Sequence, residues 1–229
     1  MNIETIVVGP LDVNAYVFYE AAGSTAVVVD PGADPDEILA LIYSASLKVT
    51  HIVNTHGHGD HIGANAALKE AFPAARLCIH ARDSHMLADA RANFSQDFGF
   101  DVISPPADVT LTGNTELDAA GIRFRVEHVP GHSPGSVCLV GLFEPRIVVT
   151  GDTLFAGGVG RTDFPGGNMG LLLSGIKEKI LSLPDETIVL PGHGIRTTVG
   201  MEKRSNPWVG DVRGPQEPDA DDEAGLESE

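Results

Sequence analysis

The sequence contains the segment Thr55-His56-Gly57-His58-Gly59-Asp60-His61, and the predicted fold follows from it and its neighbours. It places three histidines and one aspartate within six positions, with only glycine between them. Imidazole nitrogens and carboxylate oxygens suit Zn²⁺ and other first-row metals. The spacing differs from the helical zinc motif, in which two histidines lie four residues apart. No single helix face or strand face holds all four side chains, so a loop must present them, and such a loop can serve two metal ions.

The residues on either side predict a strand before this loop and a helix after it. Residues 49–54 are apolar and β-branched, which is typical of a buried strand, whereas residues 62–70 favour a helix. Ligand sites in layered α/β folds commonly lie where a strand ends and a helix begins. A glycine-rich loop that merely contains histidines is the simpler interpretation, but every ligand type here matches a metal site.

Three more candidate ligands follow strand-like runs in the second half of the chain. His132 lies in Pro-Gly-His-Ser-Pro-Gly, Asp152 follows the run Ile147–Thr150, and His193 follows Ile188–Leu190. Each lies beside glycine, which allows sharp turns and leaves space around a metal. Five histidines and two aspartates are too many for one tetrahedral zinc and predict two metals with Asp152 bridging them. The seven predicted ligands are His56, His58, Asp60, His61, His132, Asp152 and His193.

Asp30 has two interpretations from the sequence. It ends a predicted buried strand, so its carboxylate could support a metal-binding histidine. It also precedes Pro31-Gly32, and aspartate is common at such a turn. The remaining histidines lack ligand spacing to a partner and are expected to be structural or solvent-facing; they are His51, His80, His85 and His128.

Strands followed by helices are predicted in each half of the chain, with loops at 91–114 and 151–167. Two mixed sheets packed face to face, with helices outside, would bury this pattern, so the fold class is α/β. The predicted strands are Ile3–Val8, Val13–Tyr19, Thr25–Asp30, 49–54, Arg76–His80, Ile122–His128, Ser136–Leu142, Ile147–Thr150 and Thr187–Leu190. The predicted helices are Pro35–Ser44, 62–71, 83–90, Gly170–Leu183 and Thr198–Ser205.

Composition limits the domain organisation and the partners. Residues 1–210 are predicted to form one domain, and residues 211–229, with eight acidic residues and one basic residue, an acidic disordered tail.

The net charge of −17 argues against nucleic acid as a partner, since phosphate contacts need basic patches. No apolar run is long enough for a transmembrane helix and no signal peptide is evident, so we expect no membrane association and a cytoplasmic location. Cys78 and Cys138 are expected to be buried free thiols.

The Thr-His-x-His-x-Asp-His motif, followed in order by His132, Asp152 and His193, resembles the metallo-β-lactamase superfamily over residues 1–210. The resemblance implies an αββα sandwich, two mixed β-sheets flanked by helices, with a dinuclear site at one edge. It implies that one metal is held by His56, His58 and His132, the other by Asp60, His61 and His193, with Asp152 between them.

Within that superfamily the chain is most similar to the hydroxyacylglutathione hydrolase, or glyoxalase II, branch. The segments Gly151–Phe155 and Gly158–Arg161 resemble its signature, and Gly160–Gly167 and Pro191–Gly194 resemble its single-domain bacterial relatives. In that family an aromatic hydroxyl near the position of Asp163 commonly contacts glutathione. The substitution leaves recognition of glutathione open.

The resemblance implies a metal-dependent thioester hydrolase that acts on substrates such as S-D-lactoylglutathione. The expected metals are two Zn²⁺ ions, with Fe and Mn as alternatives. They would lower the pKa of a water that they share, and the resulting bridging hydroxide would attack the thioester carbonyl. Asp60 and Asp152 would orient that hydroxide and are the predicted catalytic residues. Arg161 either binds a substrate carboxylate or pairs with a loop acid such as Asp163.

Other enzyme classes use similar residues. Persulfide dioxygenases resemble this chain in a Gly-Arg-Thr-Asp-Phe segment. If the chain is such an enzyme, His56, His132 and Asp152 would hold a single Fe²⁺. Pro165-Gly166-Gly167 matches the hydrolases better. A lactonase or β-lactamase could use the same metals, whereas a nuclease is disfavoured by the negative charge.

Overall fold

Strands and helices alternate along residues 1–211, which are the residues that the computed structural model describes. The strands are β1 Asn2–Val8, β2 Val13–Tyr19, β3 Thr25–Val29, β4 Lys48–Val53, β5 Arg76–His80, β6 Val109–Leu111, β7 Thr115–Ala119, β8 Ile122–His128, β9 Val137–Gly141, β10 Ile147–Gly151, β11 Leu154–Phe155, β12 Gly158–Val159, β13 Ile188–Pro191 and β14 Thr197–Thr198. The α-helices are α1 Pro35–Ser44, α2 Gly59–Ile62, α3 Asn65–Ala71, α4 Met169–Gly175 and α5 Val199–Ser205. Single turns of 3₁₀-helix cover Ser84–Ala88 and Ser95–Phe98, and a π-helical turn, Ile176–Ile180, extends α4.

The strands form two six-stranded sheets and a small β11–β12 hairpin. In the first sheet, of order β1-β2-β3-β4-β5-β6, the pairs from β3 to β6 are parallel and the others antiparallel. In the second, of order β14-β13-β10-β9-β8-β7, only β10 and β13 are parallel. The prediction of two mixed sheets is confirmed.

Alternation along the central strands separates the core into three layers. In β3, Val27 and Val29 face the second sheet, where they pack with Phe124 of β8, because successive side chains of a strand point to opposite faces. Val28 of the same strand faces α1 and packs with Ile38. A third cluster holds α4 and α5 against the outer face of the second sheet and includes Leu172, Ile176, Val189 and Val199. The order helix, sheet, sheet, helix is the predicted αββα sandwich.

Two segments predicted as loops contain short strands. Residues 91–114 include β6, an edge strand of three residues, and residues 151–167 include the β11–β12 hairpin. Strands this short carry too few residues to show an alternating pattern. The helix predicted from residue 62 is divided at Gly63 and Ala64, where the Ala64 amide donates to the Pro31 carbonyl instead.

The predicted acidic tail, residues 211–229, lies outside the described residues apart from Asp211. Cys78 and Cys138 are buried free thiols, as predicted. Within residues 1–211, none of the helices combines the length and the apolar character that crossing a membrane requires.

Candidate metal centre

All seven predicted ligands lie at one edge of the sandwich, each just beyond the end of a strand. The loop 54–58 follows β4, and helix α2, which begins at Gly59, carries Asp60 and His61. Asp152 and His193 follow β10 and β13, which are parallel neighbours with Gly151 opposite Pro191. Because neighbouring parallel strands end at the same edge, these two side chains meet there.

The ligand atoms converge in two groups that share one carboxylate. We call His56, His58 and His132 the first ligand group and Asp60, His61 and His193 the second; within each, the ligand atoms lie within 4.8 Å of one another. Asp152 lies between them. Its Oδ2 is 3.5 Å from Nε2 of His132 and 3.5 Å from Nε2 of His193, and its Oδ1 is 3.3 Å from Nε2 of His61.

Several buried ligand atoms have no hydrogen-bond partner within residues 1–211. They are Nε2 of His56, Nε2 of His61 and Oδ1 of Asp152. Nε2 of His61 and Oδ1 of Asp152 lie 3.3 Å apart but form no hydrogen bond. Because buried polar atoms of folded proteins almost always form a hydrogen bond, three that form none at the same point indicate a missing partner. Nitrogen and carboxylate donors directed at a common centre fit one or two first-row divalent ions.

The two groups differ in electrostatics. Burial, together with the neighbouring imidazoles, lowers the pKa of His56 well below its usual value and that of His58 to about 3. In the second group burial also disfavours the charged form of the imidazoles, but the adjacent carboxylates stabilise that form more strongly. Asp152 and Asp60 raise the pKa of His61 well above its usual value and that of His193 to about 10. Burial would raise the pKa of Asp152, but His61 and His193 hold it well below its usual value.

Asp30 supports the ligand loop directly, which decides between its two interpretations. Its buried carboxylate accepts hydrogen bonds from the backbone N–H and the hydroxyl of Thr55, both at 2.7 Å, and lies 3.1 Å from Nδ1 of His61. A carboxylate on the second ring nitrogen fixes the orientation of a metal-binding histidine and leaves Nε2 free for the metal.

Asp83 is a supporting residue that the sequence analysis missed. Its buried carboxylate accepts hydrogen bonds from the Gly57 N–H at 3.1 Å, the Ser133 hydroxyl at 2.6 Å and the Gly135 N–H at 2.6 Å. These donors flank His56, His58 and His132, so Asp83 ties together the two loops that carry the first ligand group. Burial raises its pKa even though all three donors stabilise the charged form. Its place three residues beyond β5, a parallel neighbour of β4, is the signal that could have identified it.

Backbone carbonyls orient two further ligands. Nδ1 of His132 lies 2.8 Å from the carbonyl oxygen of Arg161, and Nδ1 of His193 lies 2.8 Å from that of Leu11. Both contacts position the ring so that Nε2 faces the cluster.

Gly192 provides space at the shared carboxylate. A Cβ at this position would lie 2.3 Å from Oδ1 of Asp152 and 2.8 Å from Cε1 of His61. Both distances are shorter than van der Waals contact, so only glycine fits beside the two side chains without displacing them.

Arg161 lies at the cavity beside the cluster and is paired within its own loop. Its guanidinium donates to both carboxylate oxygens of Asp163, at 2.7 and 2.6 Å, and lies 4.1 Å above the ring centre of Phe164. A substrate carboxylate would therefore compete with Asp163 for this side chain.

The four histidines expected to be structural lie outside both ligand groups. His80 and His128 stack with ring centres 4.1 Å apart, and Nε2 of His128 lies 2.9 Å from the Pro134 carbonyl oxygen. His51 is buried beside Thr50, and His85 is exposed.

A cavity of about 380 Å³ opens onto the cluster. His58, Asp60, His132, Asp152 and His193 form one side of it. The opposite side is mainly apolar and comes from the loops 8–13 and 93–102. Residues 93–102 lie in the segment 91–114, for which the sequence predicts a loop but no role at the site.

Curated relatives share the full extent of the domain. Hydroxyacylglutathione hydrolase GloC of Haemophilus influenzae is 36% identical over 212 residues, which cover 91% of this chain and 98% of that protein. The probable metallo-hydrolase YqgX of Bacillus subtilis is 38% identical over 203 residues, covering 88% of this chain and 94% of that protein.

Solved structures with the same fold include proteins of several descriptions. BLEG-1 B3 metallo-beta-lactamase has a TM-score of 0.87 at 39% identity and covers 91% of this chain and 99% of its own. TTHA1623 in a di-iron-bound form has a TM-score of 0.77 at 38% identity, covering 89% and 98%. ETHE1 from Myxococcus xanthus has a TM-score of 0.75 at 29% identity, covering 91% and 84%.

The family model of the metallo-beta-lactamase superfamily matches residues 8–193, a range that contains every predicted ligand. With this match, these relatives and the αββα fold, the chain belongs to the metallo-beta-lactamase superfamily.

Proposed function

We propose that the protein is a dinuclear metal-dependent hydrolase of thioesters. The observation that carries the proposal is the convergence of two complete ligand groups on the shared carboxylate of Asp152. A mononuclear iron site built from His56, His132 and Asp152 would leave Asp60 and His193 without a metal, although both are directed at the same centre. The 36% identity to a hydroxyacylglutathione hydrolase supports thioesters as the substrate class.

Each ligand group would hold one divalent ion, and zinc, iron and manganese all accept these donors. Bound ions would polarise the substrate carbonyl and lower the pKa of a shared water toward about 7. Oδ2 of Asp60 and Oδ2 of Asp152 both lie 3.5 Å from Nε2 of His193, at the side of the cluster that faces the cavity. From there the two carboxylates can accept hydrogen bonds from the nucleophilic water and orient it toward the carbonyl.

The thiol leaving group needs no separate general acid. A thiol has a pKa of about 8.5, so a thiolate departs without full protonation. Among the described residues that line the cavity, the titratable groups other than Arg161 all belong to the two ligand groups and Asp152.

The test is hydrolysis of a panel of thioesters, including S-D-lactoylglutathione, by metal-loaded and chelated protein. We expect turnover that chelation removes and that Zn²⁺, Fe²⁺ or Mn²⁺ restores, with Asp60→Asn strongly reduced. Parallel assays measure β-lactam and lactone ring opening, and oxygen consumption with glutathione persulfide. Ring opening or oxygen consumption without thioester cleavage would overturn the proposal.

A further inference from the structure

The cavity over the metal centre has two unlike sides. One is the polar cluster of ligands. The other, which we call the apolar wall, consists mainly of Leu11, Val13, Phe94, Phe98, Phe100 and Val102. The cavity volume of about 380 Å³ lies within the range of small-molecule sites.

Two polar side chains of this part of the cavity are already committed to the backbone. The Asn93 amide donates to the carbonyls of Met86, at 3.0 Å, and Val102, at 2.9 Å, while its oxygen accepts from the Ser95 N–H at 3.0 Å. The Ser95 hydroxyl donates to the Ala90 carbonyl at 3.2 Å and accepts from the Val102 N–H at 3.1 Å. Neither residue has a free donor to offer a substrate.

Arg161 is the other polar side chain outside the cluster; it donates two of its N–H groups to Asp163 and lies over the ring of Phe164 rather than in the apolar wall. Among the described residues that line the cavity, the polar side chains beside the apolar wall, Asn93 and Ser95, therefore offer a substrate no free donor. A charged or hydroxylated substrate group placed against the wall would lose its hydrogen bonds to water without replacement, which is unfavourable.

Two aromatic side chains of the wall are half exposed to water. Phe98 is 49% exposed and Phe100 is 50% exposed, on either side of the turn that ends the Ser95–Phe98 helix. An apolar group that covered both rings would remove this surface from water, and that removal favours binding.

We propose that the apolar wall binds the acyl group of the substrate, and that this group is a compact apolar one, a medium alkyl chain or an aryl-substituted chain. The proposal rests on the proposed thioester hydrolysis. In that reaction the water oxygen bonds to the acyl carbon and the C–S bond breaks. The products are a carboxylate, a thiol and one proton. The leaving group is a negatively charged thiolate, which is released into solvent. The uncharged acyl chain can stay against the wall.

Acyl selectivity tests the proposal with substrates that share one uncharged thiol. The acetyl, hexanoyl and phenylacetyl thioesters of N-acetylcysteamine are compared with S-D-lactoylglutathione. We expect kcat/KM for the hexanoyl ester to exceed that for the acetyl ester at least about tenfold. The double variant Phe98→Ala/Phe100→Ala should remove most of that preference, because it lowers kcat/KM for the hexanoyl ester far more than kcat/KM for the acetyl ester. Tyr43→Ala, which removes an exposed aromatic side chain of α1, is the matched control and should keep it. Equal rates, a preference for S-D-lactoylglutathione, or an unchanged preference in the double variant would overturn the proposal.

A binding measurement separates the wall from the reaction. The hexanoyl ketone analogue, with methylene in place of sulfur, is titrated calorimetrically into chelated protein. Binding that weakens about tenfold in the double variant, but not in Tyr43→Ala, supports the wall even if no thioester is hydrolysed. Failure of all thioester turnover would refute the proposed function alone, whereas equal binding by wild type and double variant would refute the acyl site.

Discussion

The first and second ligand groups differ in charge and in exposure. In the first, the residues are imidazoles no more than 6% exposed, and burial keeps His56 and His58 neutral by lowering their pKa. In the second, the side chains of Asp60 and His193 are 24% and 27% exposed, and carboxylates raise the pKa of both imidazoles. A neutral imidazole has a nitrogen lone pair for a cation; Nε2 of His56 has no hydrogen-bond partner among the described residues, whereas Nε2 of His132 lies 2.9 Å from Nδ1 of His58. The second group is ion-paired within itself, so a metal that binds there must displace protons.

The largest effect is expected where the two groups meet. Gly192→Ala places a Cβ against Oδ1 of Asp152 and should displace the carboxylate that both groups share. We expect loss of both metal equivalents and a fall in turnover of more than about 100-fold. This fall exceeds the roughly 10- to 100-fold loss that follows mutation of a residue that only supports a metal ligand. Gly170→Ala is the control, since a Cβ there meets Oδ1 of Asn168 no closer than 3.4 Å. Full metal content in Gly192→Ala would contradict the bridging role of Asp152.

Removing Asp83 should affect mainly the first group. Asp83→Ala leaves the buried N–H groups of Gly57 and Gly135 without an acceptor, whereas the Ser133 hydroxyl keeps Oγ of Ser136, at 2.7 Å, as its partner. We expect a loss of about 3 kcal/mol in the free energy of unfolding of the chelated protein, measured by denaturant titration. Metal affinity of the first group should fall by about 10- to 100-fold. The control is Asp97→Ala, which removes an exposed carboxylate. If both substitutions changed stability and metal affinity equally, Asp83 would not hold together the two loops of the first ligand group.

Asp30 supplies the corresponding test for the second group. Asp30→Asn removes the negative acceptor from Nδ1 of His61 while an amide oxygen can still accept from Thr55. We expect metal affinity to fall about 10-fold, with a smaller change in stability than Asp83→Ala produces. Asp36→Asn, an exposed residue of α1, is the comparison, and titration with a chromophoric chelator measures both. A wild-type affinity in Asp30→Asn would exclude this support.

The metal centre is expected to be least affected by a change outside both groups, at the stacked pair His80 and His128. Burial, with His128 and Arg82 adding to it, lowers the pKa of His80 from 6.5 to about 4. Between these two values the unfolded chain binds a proton that folded His80 does not, so stability falls as the pH is lowered through this window. His80→Gln should reduce the slope by at most about 1.4 kcal/mol per pH unit, as measured by urea unfolding of chelated protein. His85→Gln is the control, and an identical slope in His80→Gln and wild type would contradict the shift.

The parts of the molecule that the sequence predicted are those with local signals. The histidine loop, Asp152 and His193 could be placed because each follows a run of β-branched residues, and strands of that kind end at one edge of a sheet. The β-branched run at Thr25–Asp30 likewise predicted a strand, and the structure has it as β3, Thr25–Val29.

The missed features depend on contacts between distant residues. Asp83 braces residues that lie 26 and 52 positions away in the sequence, and no local pattern reports such pairing. The apolar wall comes from an irregular segment whose course depends on buried hydrogen bonds of Asn93. Arg161 had two interpretations because the sequence does not show whether Asp163 turns toward it.

Metal content per chain shows directly whether each of the two ligand groups holds an ion. Wild type, His58→Ala and His193→Ala are purified, reloaded with excess Zn²⁺, desalted and measured for metal per chain by mass spectrometry, alongside thioester turnover. We expect about two equivalents in wild type and about one in each variant, with turnover lost in both. One equivalent in wild type, together with unchanged metal content and turnover in His193→Ala, would contradict this expectation.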